Sequence, residues 1–210
     1  MNLALNSIPG SSIAGLVVAA SFAAGLNVYA TVLTLGLLAH AQWIVLPTGL
    51  DVLGHWPVIV VSGILFAVEF IADKIPGLDL VWSALHTFVR IPVAALLAYR
   101  ATQQLSPEMQ LLATVVGAGI ALVAHSSKTG VRAIVTPSPE PFSNIALSTS
   151  EDAAAIGLTW LATQHPWVAG GIAATFTLLA ILAAHWIVRG MQSAWRGLRA
   201  VVSNQPKLIE

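Results

Sequence analysis

Six apolar stretches, separated by short polar or proline-bearing breaks, organise the chain: Ile13 to Ala39, Trp56 to Ala72, Leu80 to Tyr99, Met109 to about Ile134, Asp152 to Gln164 and Trp167 to Val188. A helix needs about 20 apolar residues to cross a bilayer. The pattern predicts an all-α membrane protein of about six transmembrane segments, some of them broken or re-entrant. The first stretch is interrupted at Gly25-Leu26-Asn27, where the glycine allows the backbone to loosen. In the third, Pro92 follows Arg90 closely and suggests a helix break. The fifth holds about 13 residues, roughly 20 Å of helix, too short to cross alone. Either it extends back through Ser148 or the loop before it dips into the membrane. Beyond the sixth, Trp186, Ile187, Met191, Trp195, Leu198 and Val202 form a stripe opposite Arg196 and Arg199, which predicts that the helix continues into the cytoplasmic tail 190–210 and lies partly at the interface.

Composition supports lipid as the main solvent. The chain is 57% hydrophobic and only 9% charged, with a mean hydropathy of +0.82, against about 25% charged residues in soluble domains. Nine basic residues balance nine acidic ones, so no basic field points to nucleic acid. The absence of cysteine excludes disulfides, thiol catalysis and thiolate metal sites. No Lys or Arg precedes Lys74, so the first stretch lacks the basic region of a signal peptide and reads as a retained span.

With six spans both termini share a side. Arg189, Arg196, Arg199, Lys207, Lys74, Lys128 and Arg132 then favour cytoplasmic termini, leaving Arg100 outside. The whole of 1–207 reads as one integral membrane domain. Two weakly similar halves, 12–104 and 107–200, suggest a 3+3 inverted repeat, because three spans per half invert the second copy.

Four polar groupings could carry chemistry. Glu69 and Asp73 stack at i, i+4 beside Lys74, as a cation or proton site or as a charge cluster ending the helix. Arg90 needs a partner inside the membrane, either a carboxylate such as Glu69, Glu151 or Asp152, or an anionic ligand. His125, Lys128, Thr129 and Arg132 share one helix face, which suits an anion or lipid headgroups. "TPSPEPFSN", which ends at Asn144, cannot be a regular helix or strand, because Pro137, Pro139 and Pro141 remove donors and fix φ; "STSED" then reads as a helix start, with Glu151 and Asp152 completing a capping box. Asn27, Thr31 and Thr34 add a polar stripe to the first span. Small residues at Gly15, Ala19 and Ala23, and at Gly170 and Ala174, permit close helix packing within the chain or in a homodimer.

The stretches "AGLNVY", "VEFIADKIP", "SPEPFSN" and "STSED" resemble an uncharacterised bacterial family of small inner-membrane proteins known only as a domain of unknown function. The resemblance covers nearly the whole chain and implies a polytopic membrane protein with no assigned activity.

The reading that follows is a small transporter or channel moving a small ion or polar solute, an anionic one among the candidates, through a central polar site. The alternative is a scaffold that binds lipid or partner proteins. No nucleophile elbow or metal-ligand spacing supports an enzyme, and neither a metal nor a cofactor is expected.

Overall fold

The computed structural model describes residues 6–7, 10–75, 77–135 and 141–203. Seven α-helices appear among them: α1 (Ile13–Leu26), α2 (Val28–His40), α3 (Trp56–Ala72), α4 (Leu78–Ala101), α5 (Pro107–Val135), α6 (Pro141–Gln164) and α7 (Pro166–Ser203). A one-turn 3-10 segment, Gly10–Ser12, leads into α1, and a longer one, Thr48–Gly54, precedes α3. Two short strands, β1 (Asn6–Ser7) and β2 (Ile44–Val45), pair in parallel. Proline opens α5, α6 and α7, where the missing N–H has no helical partner to lose.

The molecule is apolar outside and charged inside. Phe88 is 83% exposed, while Arg90, two residues on and round the other side of the helix, is fully buried. Ile134, Phe142, Trp167 and Leu178 face outward as well. Three helical stretches are long and apolar enough to cross a membrane, Val81–Ala101, Pro107–Ile134 and Pro166–Arg196. A fourth qualifies if Thr48–Gly54 and α3, bent by 67°, count as one. Together these features mark a membrane protein.

The first apolar stretch folds back on itself. Asn27 leaves the helical region (φ −150°, ψ 103°) and separates α1 from α2. Placed end to end, the two helices and the turn before them would extend about 45 Å. However, the pairing of Asn6 with Ile44 and Ser7 with Val45 ties their outer ends within about 33 Å, the most that the short connecting links can span. Leu16 and Val17 of α1 and Leu35 of α2 line one small cavity with Leu50 and Leu97. α1 and α2 therefore form a hairpin with Asn27 at its tip, in place of the single interrupted span expected from the sequence.

The remaining helices alternate around this hairpin. His40 packs on Trp56, so α3 starts beside the outer end of α2, and Glu69 near its other end meets Arg90 of α4. α4 and α5 are antiparallel, with Ala98 against Gly117 and Arg90 against His125. α6 meets Asn27 through Asp152 and reaches Leu16 and Ala19 through Ala162, so it runs against α1. α7 runs with α1, pairing Gly15 with Gly170 and Phe22 with Phe176. β1 and the end of α7 consequently lie at opposite ends of the bundle. Among the described residues α5, α6 and α7 are each unbroken.

Three local expectations change. α4 passes through Pro92 without breaking, because that proline sits on an exposed face and costs one backbone hydrogen bond. α6 starts at Pro141, so "STSED" lies in mid-helix rather than at a capping box, and the fifth stretch is 24 residues long. Pro137 and Pro139 fall outside the described residues. Pro141 to Asn144, the end of "TPSPEPFSN", are helical, because a proline at the first helical position has no hydrogen bond to lose. The tail continues α7 as one helix to Ser203, as its apolar stripe suggests.

Small residues set the tightest contacts. A Cβ on Gly15 would lie 2.4 Å from the carbonyl oxygen of Pro166, and one on Gly25 would lie 2.6 Å from that of Ala121. Gly25 thus serves the close approach of α1 to α5, not a loosened backbone. Gly119, by contrast, has open space around its missing Cβ. Gly15→Ala is expected to destabilise the protein by about 1–3 kcal/mol through overpacking. Gly119→Ala should be neutral or stabilising by up to about 1 kcal/mol from helix propensity. Thermal melting of the two variants in detergent checks the contrast.

Candidate functional site

Five elements deliver charge to one buried place. α3 contributes Glu69 and, just past its end, Asp73; α4 contributes Asp79 and Arg90; α5 contributes His125, Lys128 and Arg132; α6 contributes Asn144, Glu151 and Asp152; the hairpin tip contributes Asn27. All are buried, and Glu69, Asp73, Asp79, Arg90 and Arg132 have no exposed surface. On α5 the spacing seen in the sequence puts His125, Lys128 and Arg132 on one inward face. Their burial removes the reading in which they anchor lipid headgroups.

Lys128 stands at the centre. Its Nζ donates to Asp73 Oδ2 and to the Leu26 carbonyl, both at 2.9 Å, with Glu151 Oε2 at 3.4 Å and Glu69 Oε1 at 3.7 Å. Arg132 joins Asp73 and Glu151. Its Nη2 donates to Asp73 Oδ2 at 2.9 Å and also to Glu151 Oε2, while its Nε reaches Glu151 Oε2 at 3.1 Å. Its Nη1 lies 3.3 Å from the Asp73 carbonyl and 3.7 Å from Asp79 Oδ2. Asn144 Nδ2 approaches the same carbonyl at 3.5 Å.

Arg90 heads a second line of bonds. Its Nη2 donates to Glu69 Oε1 at 2.6 Å and its Nη1 to His125 Nδ1 at 2.8 Å. A guanidinium can only donate, so His125 accepts at Nδ1 and carries its proton on Nε2. From there it donates to Thr87 Oγ1 at 2.7 Å, and the Thr87 hydroxyl in turn donates to the Ser83 carbonyl at 3.2 Å. The carboxylate partner expected for Arg90 is Glu69.

The hairpin tip is electrostatically complementary to this network. A helix carries partial negative charge at its C-terminus and partial positive charge at its N-terminus. Lys128 binds the carbonyl of Leu26, the last residue of α1. Asn27 caps α2 by accepting from Ala30 N at 2.9 Å, and its Nδ2 donates to Asp152 Oδ1 at 2.8 Å. A cation thus meets the negative end of α1 and an anion the positive end of α2.

Ten of the twelve residues singled out from the sequence meet here: Asn27, Glu69, Asp73, Arg90, His125, Lys128, Arg132, Asn144, Glu151 and Asp152. Thr31 is buried but turns its hydroxyl back to the Asn27 carbonyl at 3.0 Å, supporting the tip. Lys74 turns away, donating to the Phe70 carbonyl at 3.0 Å above the Phe70 ring. His86, four residues before Arg90, instead stacks on Trp82. Asp79 and Thr87 were not anticipated. Asp79 follows Gly77 at the start of α4 and also accepts from the Gly77 N–H at 2.9 Å, the usual role of an acid at a helix start. Thr87 is an ordinary helical threonine until His125 arrives from α5.

Residues 14–186 match a family described as a domain of unknown function. No curated protein and no solved structure matches the chain.

Removing one partner of a buried ion pair strands the other charge, which costs about 3–5 kcal/mol. Arg132→Met is therefore expected to destabilise by that amount, and Arg132→Met with Glu151→Gln by less than the two single changes combined. Lys74→Ala should leave stability unchanged. Unfolding in detergent of the wild type, the two single variants and the double variant closes the cycle for Arg132 and Glu151 and measures the coupling, with Lys74→Ala as the control.

Proposed function

We propose, for a chain that belongs to the DUF4126 family, that the buried network is the solute site of a small membrane transporter or channel. The observation that carries this reading is the meeting of the hairpin tip with charged side chains from α3, α4, α5 and α6. Broken helices whose ends face a buried polar centre are a recurrent way to hold an ion or polar solute inside a bilayer. Ionisable groups are costly there, and a purely structural bundle has no need of eight of them. No nucleophile, metal or cofactor enters this reading, which is not enzymatic.

On this reading α3 to α7 make five crossings, and the hairpin enters from one face without leaving by the other. Exposed Trp43, Trp56 and Trp167 would mark that face. From Trp167 to Trp186, α7 advances about 28 Å, close to the roughly 30 Å of a hydrocarbon core. Glu69, thirteen residues after Trp56 on α3, would then sit about 20 Å from the tryptophan face. Lys74, Arg189, Arg196, Arg199 and Lys207 follow the opposite face, which makes that face cytoplasmic. The C-terminus stays in the cytoplasm, and five crossings move the N-terminal strand to the other side. Neither six spans nor an inverted repeat is retained. A bacterial inner membrane follows only from the family resemblance.

The scaffold reading keeps one observation in its favour. From Ile181 to Arg196, α7 is exposed on every side, including Trp186, Met191 and Trp195, which suits a lipid surface, a partner or a second copy of the chain.

Two measurements test the proposal. The chain has no cysteine, so Trp43→Cys and Ser193→Cys should react with an impermeant thiol reagent from opposite faces of the membrane. In reconstituted vesicles, the wild type should move at least one small ion, and Asp152→Asn should slow that flux at least tenfold. Labelling of both cysteines from one face refutes the five-crossing topology. Equal flux in protein-containing and empty vesicles, for alkali cations, protons, chloride and phosphate alike, refutes transport.

A further inference from the structure

The network is not electrically balanced. Glu69, Asp73, Asp79, Glu151 and Asp152 are five buried carboxylates, and Arg90, Lys128 and Arg132 are three buried cations. Two carboxylates are in excess, with His125 neutral in its bonding to Arg90 and Thr87. Lys74, half-buried beside the network, lies within electrostatic reach of Asp73 and Asp152. Uncompensated charge in a water-poor interior is expensive, so at least one positive charge belongs to this site beyond those the chain supplies.

The unpartnered atoms of the network are mostly acceptors. Glu69 Oε2, Asp73 Oδ1, Asp152 Oδ2, Asn144 Oδ1 and Ser148 Oγ are buried without a hydrogen-bond partner, against one donor of the network, Arg90 Nε. Four of these five are pure acceptors when the acids are ionised. Asn144 is 2% exposed and fixed against Asp73 through its amide nitrogen, so its free carbonyl is an acceptor independent of the acids. An anion would meet repulsion from these acceptors. Among the described residues no group of three or more acids or histidines is arranged to hold a metal ion as it stands, so a cation can gain a full set of ligands only where Lys128 now sits.

Lys128 shows the shape of the binding place. Its ammonium is held by a half-helix carbonyl, Leu26 O, and by oxygens of Asp73, Glu151 and Glu69. Backbone carbonyl at a broken helix end together with carboxylate oxygen is the donor set that holds monovalent cations in membrane sites. We propose that the site binds a small monovalent cation, and that Lys128 is a tethered competitor which the cation displaces from the end of α1. This rests on the reading of the network as a solute site and narrows the solute to a cation, against the anionic solute that the basic face of α5 suggests in the sequence.

The test uses the full chain purified in detergent, melted at constant ionic strength in sodium chloride, potassium chloride or N-methyl-D-glucamine chloride. A saturable rise in Tm with one alkali cation, absent with the bulky organic cation, is expected. Asp152→Asn keeps an acceptor for Asn27 and removes one negative charge, and should raise the apparent Kd for that cation at least tenfold. Lys128→Gln removes the competitor and should lower the Kd at least tenfold. If Lys128→Gln fails to fold, Asp152→Asn decides. Identical melting in the three salts, or an unchanged Kd in Asp152→Asn, overturns the proposal and means that the excess charge is carried by protons alone. Alkali binding without flux of any solute would sink the transport reading and leave the cation site standing. Flux of chloride or phosphate without alkali binding would do the reverse.

Discussion

Charge that is hidden from water must be matched in place. Eight ionisable side chains with formal charge converge on the tip of a helical hairpin, away from solvent. Their attraction is strong only because the surroundings polarise little, and the same surroundings make any stranded partner costly. This explains why one network recruits α3, α4, α5, α6 and the hairpin at once. No single helix can supply both signs of charge and the carbonyl that Lys128 needs. Shifting any of these helices along its axis by one turn, about 5.4 Å, would separate pairs now held at 2.6 to 2.9 Å.

The hairpin is the other half of that constraint. A continuous helix through Asn27 would bond its carbonyls and N–H groups internally and present nothing to the network. Breaking it exposes the C-terminal end of α1 to Lys128 and the N-terminal end of α2 to the Asn27 cap beside Asp152. The broken helices still need a bed to lie in. Gly15, Gly25, Ala19 and Ala24 provide it by letting α5 and α7 approach α1 at backbone distance. Small residues on one part of α1 and charge at its end therefore act together: close packing sets the depth of the tip, and the tip sets the geometry of the ions.

Much of the site is legible in the sequence because charge is rare in this chain. Glu69, Arg90, Lys128, Glu151 and Asp152 stand out against apolar neighbours, and the cost of burying each one demands a partner. Which partner is a tertiary matter. Arg90 finds Glu69 and His125, while Glu151 turns to Arg132 and Lys128. Topology was harder to read. The run from Ile13 to Ala39 has the length of a crossing, and only the pairing of β1 with β2, two residues each, reveals that it returns. "STSED" carries the local chemistry of a helix start, yet Pro141 starts the helix earlier and leaves Glu151 facing Arg132 and Asp152 facing Asn27. Pro92 misled in the opposite direction, since one missing hydrogen bond on an exposed face does not end a helix of 24 residues.

The central claim is that the first apolar stretch re-enters and brings Asn27 to the charges. Because the chain has no native cysteine, spin labels can be placed at Ser11 and Ala41 alone and their separation measured by pulsed dipolar spectroscopy in lipid. The hairpin predicts outer ends about 30 Å apart or closer, as the β1–β2 pairing requires. A separation of about 45 Å or more, the length of one continuous traverse, would contradict it and detach the network from the helix ends on which its geometry depends.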